Sequence, residues 1–350
     1  MTLNNVSTAP VVIASVTPSV SEVGRVVVVM ATYNGGCFIE EQIRSIQTQS
    51  YSDWTLYVRD DGSSDDTVQK VLQIECADNR IRLIRDDFGN QGAIGNFSSL
   101  MSVALEKNAK YVFFADQDDV WHPEKIAMQL AAMLEMERIY DVQTPLLIHS
   151  DLTVVSEALD LISESFVMFS GLSPATSDLG VLLCQNQVTG CACASNRALL
   201  ELACPVPCEA RMHDWWLALL ASSCGKVGYI PKPLVKYRQH GNNVLGAISF
   251  SQRLKRLLFS PQRWKIQKAA IERGTVQAEM LEMRIKIRGI ELSPVIMEQI
   301  NVYAQILRTH FLCRANKLRQ QKIGLHVTIA QWGFNLLLSF MKKKEVKPVA

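Results

Sequence analysis

"RVVVVMATYNGGCFIEEQIRSIQTQSYSDWTLYVRDDG", residues 25 to 62, decides the fold. Val26 to Met30 is a mostly β-branched run that closes in the turn residues Thr32 to Gly36, which predicts a buried strand with a loop beyond it. Ile39, Ile43 and Ile46 then recur at helical spacing, and "WTLYVRD" returns to a strand pattern that ends at an acidic turn. Strand, helix, strand predicts parallel pairing, because a parallel neighbour is reached only by a long crossover. The alternation continues with a helix from Thr67 to Ile74, a short strand "IRLIRD", a helix "GAIGNFSSLMSVALEKN" and a strand "KYVFFADQDD". The fold class expected is α/β, a mostly parallel sheet flanked by helices.

From Asp141 to about Ser249 the pattern is mixed, with strand-like runs "LLIHSDLTVV" and "KVGYIPKPLVKY". Beyond Ser249 it turns into long, basic, helix-like sequence. Three parts are expected: a flexible lead-in at 1–24, an α/β domain at 25–249 and a helical C-terminal region at 250–350.

With 350 residues, 48% hydrophobic and 20% charged, the chain has the composition of a globular protein. A net charge of +2 is too mild to imply a nucleic-acid partner, and no nucleic-acid-binding motif occurs. Nine cysteines at irregular spacing point to reduced thiols in a cytosolic protein. Cys191 and Cys193, or Cys204 and Cys208, lack a second pair or a nearby His at zinc-finger spacing, so they read as small buried residues. The first residues carry no secretory leader pattern. "IGLHVTIAQWGFNLLLSF", Ile323 to Phe340, contains His326, Gln331 and Asn335, so it is expected to lie on a membrane or pack on the protein rather than cross a bilayer. The loop after the first strand lacks GxGxxG, and GxxxxGK[ST] occurs nowhere, which disfavours dinucleotide and P-loop chemistry.

In open α/β sheets ligands sit beyond the carboxyl ends of the strands. Three strands here end in polar loops: Thr32-Tyr33-Asn34, Asp60-Asp61 and Asp116-Gln117-Asp118-Asp119. Adjacent carboxylates are costly as free anions, and the cost disappears when a hard divalent cation sits between them and an anionic ligand such as a diphosphate. The competing reading is a solvated acidic turn or a helix cap. Asp60 and Asp61 likewise read either as turn formers, with Asp65 or Asp66 capping the next helix, or with Tyr33 as a nucleobase cradle. In "RMHDWWLALLAS", Asp214 is either a helix cap or a general base beside an apolar wall, and Trp215 and Trp216 are either core or substrate platform. His240 in "YRQHGNN" is a loop histidine, or a third metal or diphosphate contact beside Arg238.

Together and in this order these residues resemble glycosyltransferase family 2, in particular its rhamnosyltransferase-like branch of bacterial surface polysaccharide synthesis. The resemblance spans about Val26 to Leu245. It implies a GT-A fold and an inverting, metal-dependent transfer from a nucleoside diphosphate sugar, with Mg²⁺ or Mn²⁺ as cofactor. Ala31, Thr32, Tyr33 and Asp61 match the nucleobase contacts, with Asp60 adjoining, and Asp116 and Asp118 match the DxD pair near ribose and metal. Asp119 extends that pair, and Asp118, Asp119 and His240 form the expected metal set. "NQVTGCACASNRALL" matches the stretch lining donor and acceptor, so Asn186, Thr189, Gly190, His213, Trp215 and Arg238 are expected around the sugars, and Asp214 falls at the catalytic base.

The favoured donor is dTDP-rhamnose, on branch resemblance alone, with UDP- or GDP-sugars as alternatives. The expected acceptor is a saccharide, lipid-carrier-linked, reached from the cytoplasm or the cytoplasmic face of the inner membrane. "NLLLSFMKKKEVK" is read as a membrane-docking element or as part of a packed helical appendage. A non-catalytic nucleotide-sugar-binding protein is disfavoured because Asp118, Asp119 and Asp214 are all present. A nucleotidyltransferase is disfavoured because "TYNGGCFIEEQ" has no Lys or Arg.

Overall fold

The computed structural model describes residues 24–173, 178–241, 261–325 and 328–341. Among them nine strands form one sheet: β1 (Val26–Thr32), β2 (Trp54–Asp60), β3 (Ile81–Leu83), β4 (Tyr111–Ala115), β5 (Val120–Trp121), β6 (Leu146–Val155), β7 (Leu161–Ser163), β8 (Cys193–Asn196) and β9 (Lys226–Arg238). The order is β3-β2-β1-β4-β8-β6-β9-β5, with β7 paired to β6. β1 to β4 pair in parallel, Val26 facing both Trp54 and Tyr111, as the strand–helix alternation requires. β8 then runs antiparallel to both β4 and β6, so the sheet is mixed beyond its first half. A four-residue strand of small residues, "CASN", is too short to show a periodicity of its own.

The helices follow from where apolar residues recur. Val27 and Val29 of β1 enter one core and Val26, Val28 and Met30 the other, the pattern of a strand covered on both faces. α1 (Ile39–Gln47) and α4 (Lys125–Tyr140) cover one face, α1 with Ile39, Ile43 and Ile46 fully buried. α3 (Gly92–Glu106) covers the other with Phe97, Leu100 and Met101. α2 (Thr67–Ala77) starts under Asp65, whose carboxylate accepts the Thr67 and Gly36 N–H groups at 3.0 and 2.9 Å, while Asp66 pairs with Lys70. The shorter α5 (Phe166–Ser170), α6 (Leu179–Cys184) and α7 (Arg197–Ala203) precede α8 (His213–Cys224).

Four further helices, Pro261–Ile287, Pro294–Ala304, Phe311–Gln320 and Thr328–Phe340, make up the described C-terminal region. They share the core of α6 and α8: Leu281, Ile285, Ile300, Tyr303 and Leu338 are buried in the same cluster as Leu182 and Trp216. Arg314 is fully buried and donates to the Leu307, Thr309, Leu338 and Met341 carbonyls, which closes these helices on one another. Arg284 donates to the carbonyls of Leu202, Cys204 and Pro205. Thr328–Phe340 buries Phe334, Leu337 and Leu338, so part of its apolar surface faces protein. No described helix is long and apolar enough to cross a membrane. The expected boundary near residue 250 and most of the lead-in lie outside the described residues.

A shared core makes the C-terminal helices part of the fold's stability. Leu281→Ala is expected to cost about 3 kcal/mol, within the range for emptying a buried leucine site, and to lower the midpoint of a single denaturant transition. Two separate transitions would contradict the shared core.

All nine cysteines are free. Cys191, Cys193 and Cys204 are buried as expected, but Cys208 is exposed, because it follows Pro207 in the loop between α7 and α8.

Candidate active site

β1, β2 and β4 run the same way, so their carboxyl ends bring three polar loops to one edge. Thr32 closes β1, and its hydroxyl donates to Asp60 Oδ1 at 2.9 Å. Asp60 also accepts Ser63 Oγ–H and the Gly62 and Ser63 N–H groups, which makes it the organiser of its turn. Asp61 is only 3% exposed. Its carboxylate accepts the Arg59 guanidinium at 3.0 Å and the Gln91 and Gly92 N–H groups at 2.7 and 2.8 Å, at the start of α3, where the helix dipole favours an anion. Tyr33, by contrast, is half exposed, with Ala31 beneath it partly buried. The Gln117 amide clamps the Tyr33 backbone, its Oε1 accepting Tyr33 N–H at 2.8 Å and its Nε2 donating to the Tyr33 carbonyl at 3.0 Å. The β1 and β4 loops are thereby tied together.

The acidic loop after β4 is not a helix cap, since α4 begins at Lys125. Asp118 Oδ2 lies 2.8 Å from His240 Nε2, a direct contact between the two side chains. Asp119 is fully buried; its Oδ1 accepts the Arg238 N–H at 3.2 Å, and its Oδ2 has no hydrogen-bond partner among the described residues. One ligand atom each from Asp116, Asp119 and Cys191 lie within 4.8 Å of one another. Desolvation, with the Asp118 and Asp214 charges, raises the Asp116 carboxyl to about 7, and burial beside Asp118 and Asp116 raises Asp119 well above the carboxylate range. The loop holds more negative charge than it compensates.

Arg238 sits differently from the expectation. It is 3% exposed, lies over the Phe38 ring, and donates to the Asp118 carbonyl at 2.7 Å, the Glu157 carbonyl and Glu41 Oε2 at 2.5 Å. With all three nitrogens engaged by protein, its guanidinium fastens the acidic loop to β9 and does not line the sugar site.

Asp214 lies in the first turn of α8 and is 7% exposed. It accepts the Trp215 N–H at 2.6 Å. The Asn186 side chain and the Gly190 N–H lie near enough to favour its charged form. Burial outweighs these contacts and lifts its carboxyl to about 6. The 186–190 stretch and the start of α8 bring Asn186, Gly190 and Asp214 near one another, with Thr189 entering the 190–192 turn. His213 and Trp215 do not line the surface. His213 is 2% exposed and stacks on Phe97 at 3.7 Å, where burial keeps it neutral, its pKa lowered to about 3. Trp215 is 6% exposed and donates Nε1–H to the Leu182 carbonyl at 2.6 Å. Both serve as the wall behind the site, because an apolar α8 places every side chain of its first turns in the core.

Gly190 fits this wall closely, since a Cβ there would come within 2.9 Å of His213 Nε2 and 3.7 Å of the Asp214 Cβ. Gly190→Ala is expected to displace the Asp214 turn and lower kcat at least ~10-fold, with donor KM little changed, a split that steady-state kinetics reads directly.

Sequence reasoning missed Gln117, Glu41, Phe38 and Arg59, which hold the loops, and Lys125, which holds α4 to the 190–192 turn. Lys125 is fully buried over the Trp121 ring and donates to Gln129, whose amide donates to the Ala192 carbonyl at 2.6 Å. The only sequence signal for Gln117 was its place inside the acidic run, and buried Lys125 had none.

A mixed sheet with polar loops at the carboxyl ends of β1, β2 and β4, the last two acidic, and a helical C-terminal region is of the GT-A class. Across 90% of both chains it superposes on the crystal structure of S. aureus TarS 1-349 with a TM-score of 0.52 at 14% identity, a likeness of fold. Residues 27–154 match the Glycosyl transferase family 2 model, and the chain is a glycosyltransferase. It is 28% identical over 239 residues to the dTDP-rhamnosyl transferase RfbG of Shigella flexneri, covering 67% of this chain and 80% of that one. It is 36% identical over 108 residues to the UDP-Glc:alpha-D-GlcNAc-diphosphoundecaprenol beta-1,3-glucosyltransferase WfgD of Escherichia coli, 31% of this chain and 40% of that one.

Proposed function

We propose that the protein transfers a sugar, with inversion, from a nucleoside diphosphate sugar onto a lipid-carrier-linked saccharide in surface polysaccharide synthesis. The observation that carries this reading is a buried carboxylate, Asp214, with Asn186 and Gly190 near it, beside a loop of three further carboxylates. dTDP-rhamnose is the favoured donor, because the match to the dTDP-rhamnosyl transferase RfbG runs over two thirds of this chain. The acceptor class follows the diphosphoundecaprenol-linked acceptor in the name of WfgD, and the reading puts the transfer at the cytoplasmic face of the inner membrane.

In this reading Tyr33 offers its exposed ring to the nucleobase, with Ala31, Thr32 and the turn of Asp60 and Asp61 forming the floor. Asp116 faces the ribose. Asp118, Asp119 and His240 are a carboxylate and imidazole donor set that suits Mg²⁺ or Mn²⁺, and the unpartnered Asp119 Oδ2 fits the same assignment. A divalent cation there supplies charge neutralisation for the leaving diphosphate. Asp214 takes the proton from the acceptor hydroxyl, and the freed oxygen attacks the anomeric carbon on the face opposite the nucleotide.

The base is active only as a carboxylate, so kcat/KM is expected to rise with pH through about 6 and then level. Its folded-state pKa lies above the ordinary 3.8, so folding binds a proton in that window, and Asp214's contribution to stability falls as pH rises from 3.8 to about 6. A flat rate profile between pH 5 and 8 would remove Asp214 from the base role.

Incubating the full chain with bacterial membranes and radiolabelled dTDP-rhamnose, UDP-glucose or GDP-mannose tests the transfer. Label from dTDP-rhamnose entering the lipid fraction supports the reading. Label from another donor alone corrects the sugar, and none from any donor removes the transfer.

A further inference from the structure

Cys191 is fully buried in the Gly190–Ala192 turn, and one ligand atom of it lies within 4.8 Å of ligand atoms of Asp116 and Asp119. Asp119 beside it is also fully buried, yet its Oδ2 has no partner among the described residues, an arrangement that costs free energy unless something positive completes it. The sequence argument against zinc rested on spacing within the chain. The fold supplies the missing partners from the acidic loop after β4, some seventy positions away in the sequence. Two carboxylates and a sulfur form a mixed donor set, and sulfur ligands select softer divalent cations over Mg²⁺.

We propose that Asp116, Asp119 and Cys191 bind a thiophilic divalent cation, such as Zn²⁺, Co²⁺ or Cd²⁺, through two carboxylate oxygens and the Cys191 sulfur. This inference rests on the reading of the acidic loop as a cation site and adds to it a sulfur ligand that the expected set of Asp118, Asp119 and His240 lacks. On binding, the Cys191 S–H bond breaks, an Sγ–metal bond forms, and the proton passes to solvent. Because Asp119 belongs to both sets, a thiophilic ion held here competes with Mn²⁺ at the neighbouring position. The nature of the metal supplied therefore governs the enzyme.

The test uses the full chain with the exposed Cys37, Cys76, Cys208 and Cys313 changed to Ser, titrated with Cd²⁺ and followed by the ultraviolet thiolate-to-cadmium charge-transfer band. One equivalent of band is expected, with release of the Cys191 proton and of any proton held by Asp116 or Asp119. It should fall at least tenfold in Cys191→Ser and in Asp119→Asn, and persist in Cys193→Ser. Mn²⁺-dependent nucleotide binding is measured on the same samples. Absence of the band, or its survival in Cys191→Ser, overturns the proposal. If Mn²⁺-dependent binding is intact when that happens, the proposed function stands without the sulfur ligand. If Cys191→Ser does not fold, Asp119→Asn decides, since it keeps the Oδ1 contact with Arg238.

Discussion

Asp214→Asn is expected to lower kcat by ~10²- to 10⁴-fold while nucleotide affinity changes less than about threefold, the range for removing a general base. The substitution preserves shape, and the remaining carbonyl oxygen still accepts the Trp215 N–H that Asp214 now holds at 2.6 Å. What it removes is the ability to take a proton. Stability should rise or stay level at neutral pH, because a buried carboxylate is replaced by a neutral amide. A variant that turns over at the parent rate would move the base elsewhere, and one that loses nucleotide binding along with turnover would make Asp214 structural.

The second large effect belongs to the acidic loop. Changing Asp118 and Asp119 together to Asn should weaken Mn²⁺-dependent nucleotide binding more than ~100-fold, since these carboxylates supply the anionic ligands. The same change should raise the melting temperature. Asp119 is buried with one oxygen unpartnered and its carboxyl is pushed well above the ordinary range by burial and by Asp118 and Asp116. Relieving that repulsion stabilises the fold, and the Arg238 N–H keeps an acceptor at position 119. Opposite movements of stability and binding are the mark of a strained functional site, whereas a structural acidic turn would lose both together.

The order of the first four strands was legible because β1, β2 and β4 are long apolar runs ending in polar turns, and helical spacing in α1 separates the first two. The acidic loop was legible for the same reason: three carboxylates after "VFFA" break the rule that a strand end is neutral or capped. β8 was not legible, since four small residues carry no period, and its antiparallel insertion follows from packing between β4 and β6. The side-chain surroundings were legible only in part. Asp214 lies near Asn186 and Gly190, while Arg238, His213 and Trp215 turned inward. Arg238 did so because Glu41 and two carbonyls engage all three of its nitrogens, and the other two because α8 is apolar on every side. Asp61 reads as a nucleobase contact in sequence, and its carboxylate is already held by Arg59 and the start of α3. Cys191 passed as filler because nothing local in "VTGCACAS" reveals the aspartates opposite it.

The most direct test of the central claim is calorimetric titration of the full chain with dTDP, UDP and GDP, each with Mn²⁺ and again with EDTA. The account predicts saturable binding of one of them, dTDP by preference, that disappears with EDTA and in the Asp118→Asn, Asp119→Asn variant. A folded protein that binds none of the three, or binds them equally well in EDTA, would contradict the assignment of the acidic loop to a metal and a nucleoside diphosphate.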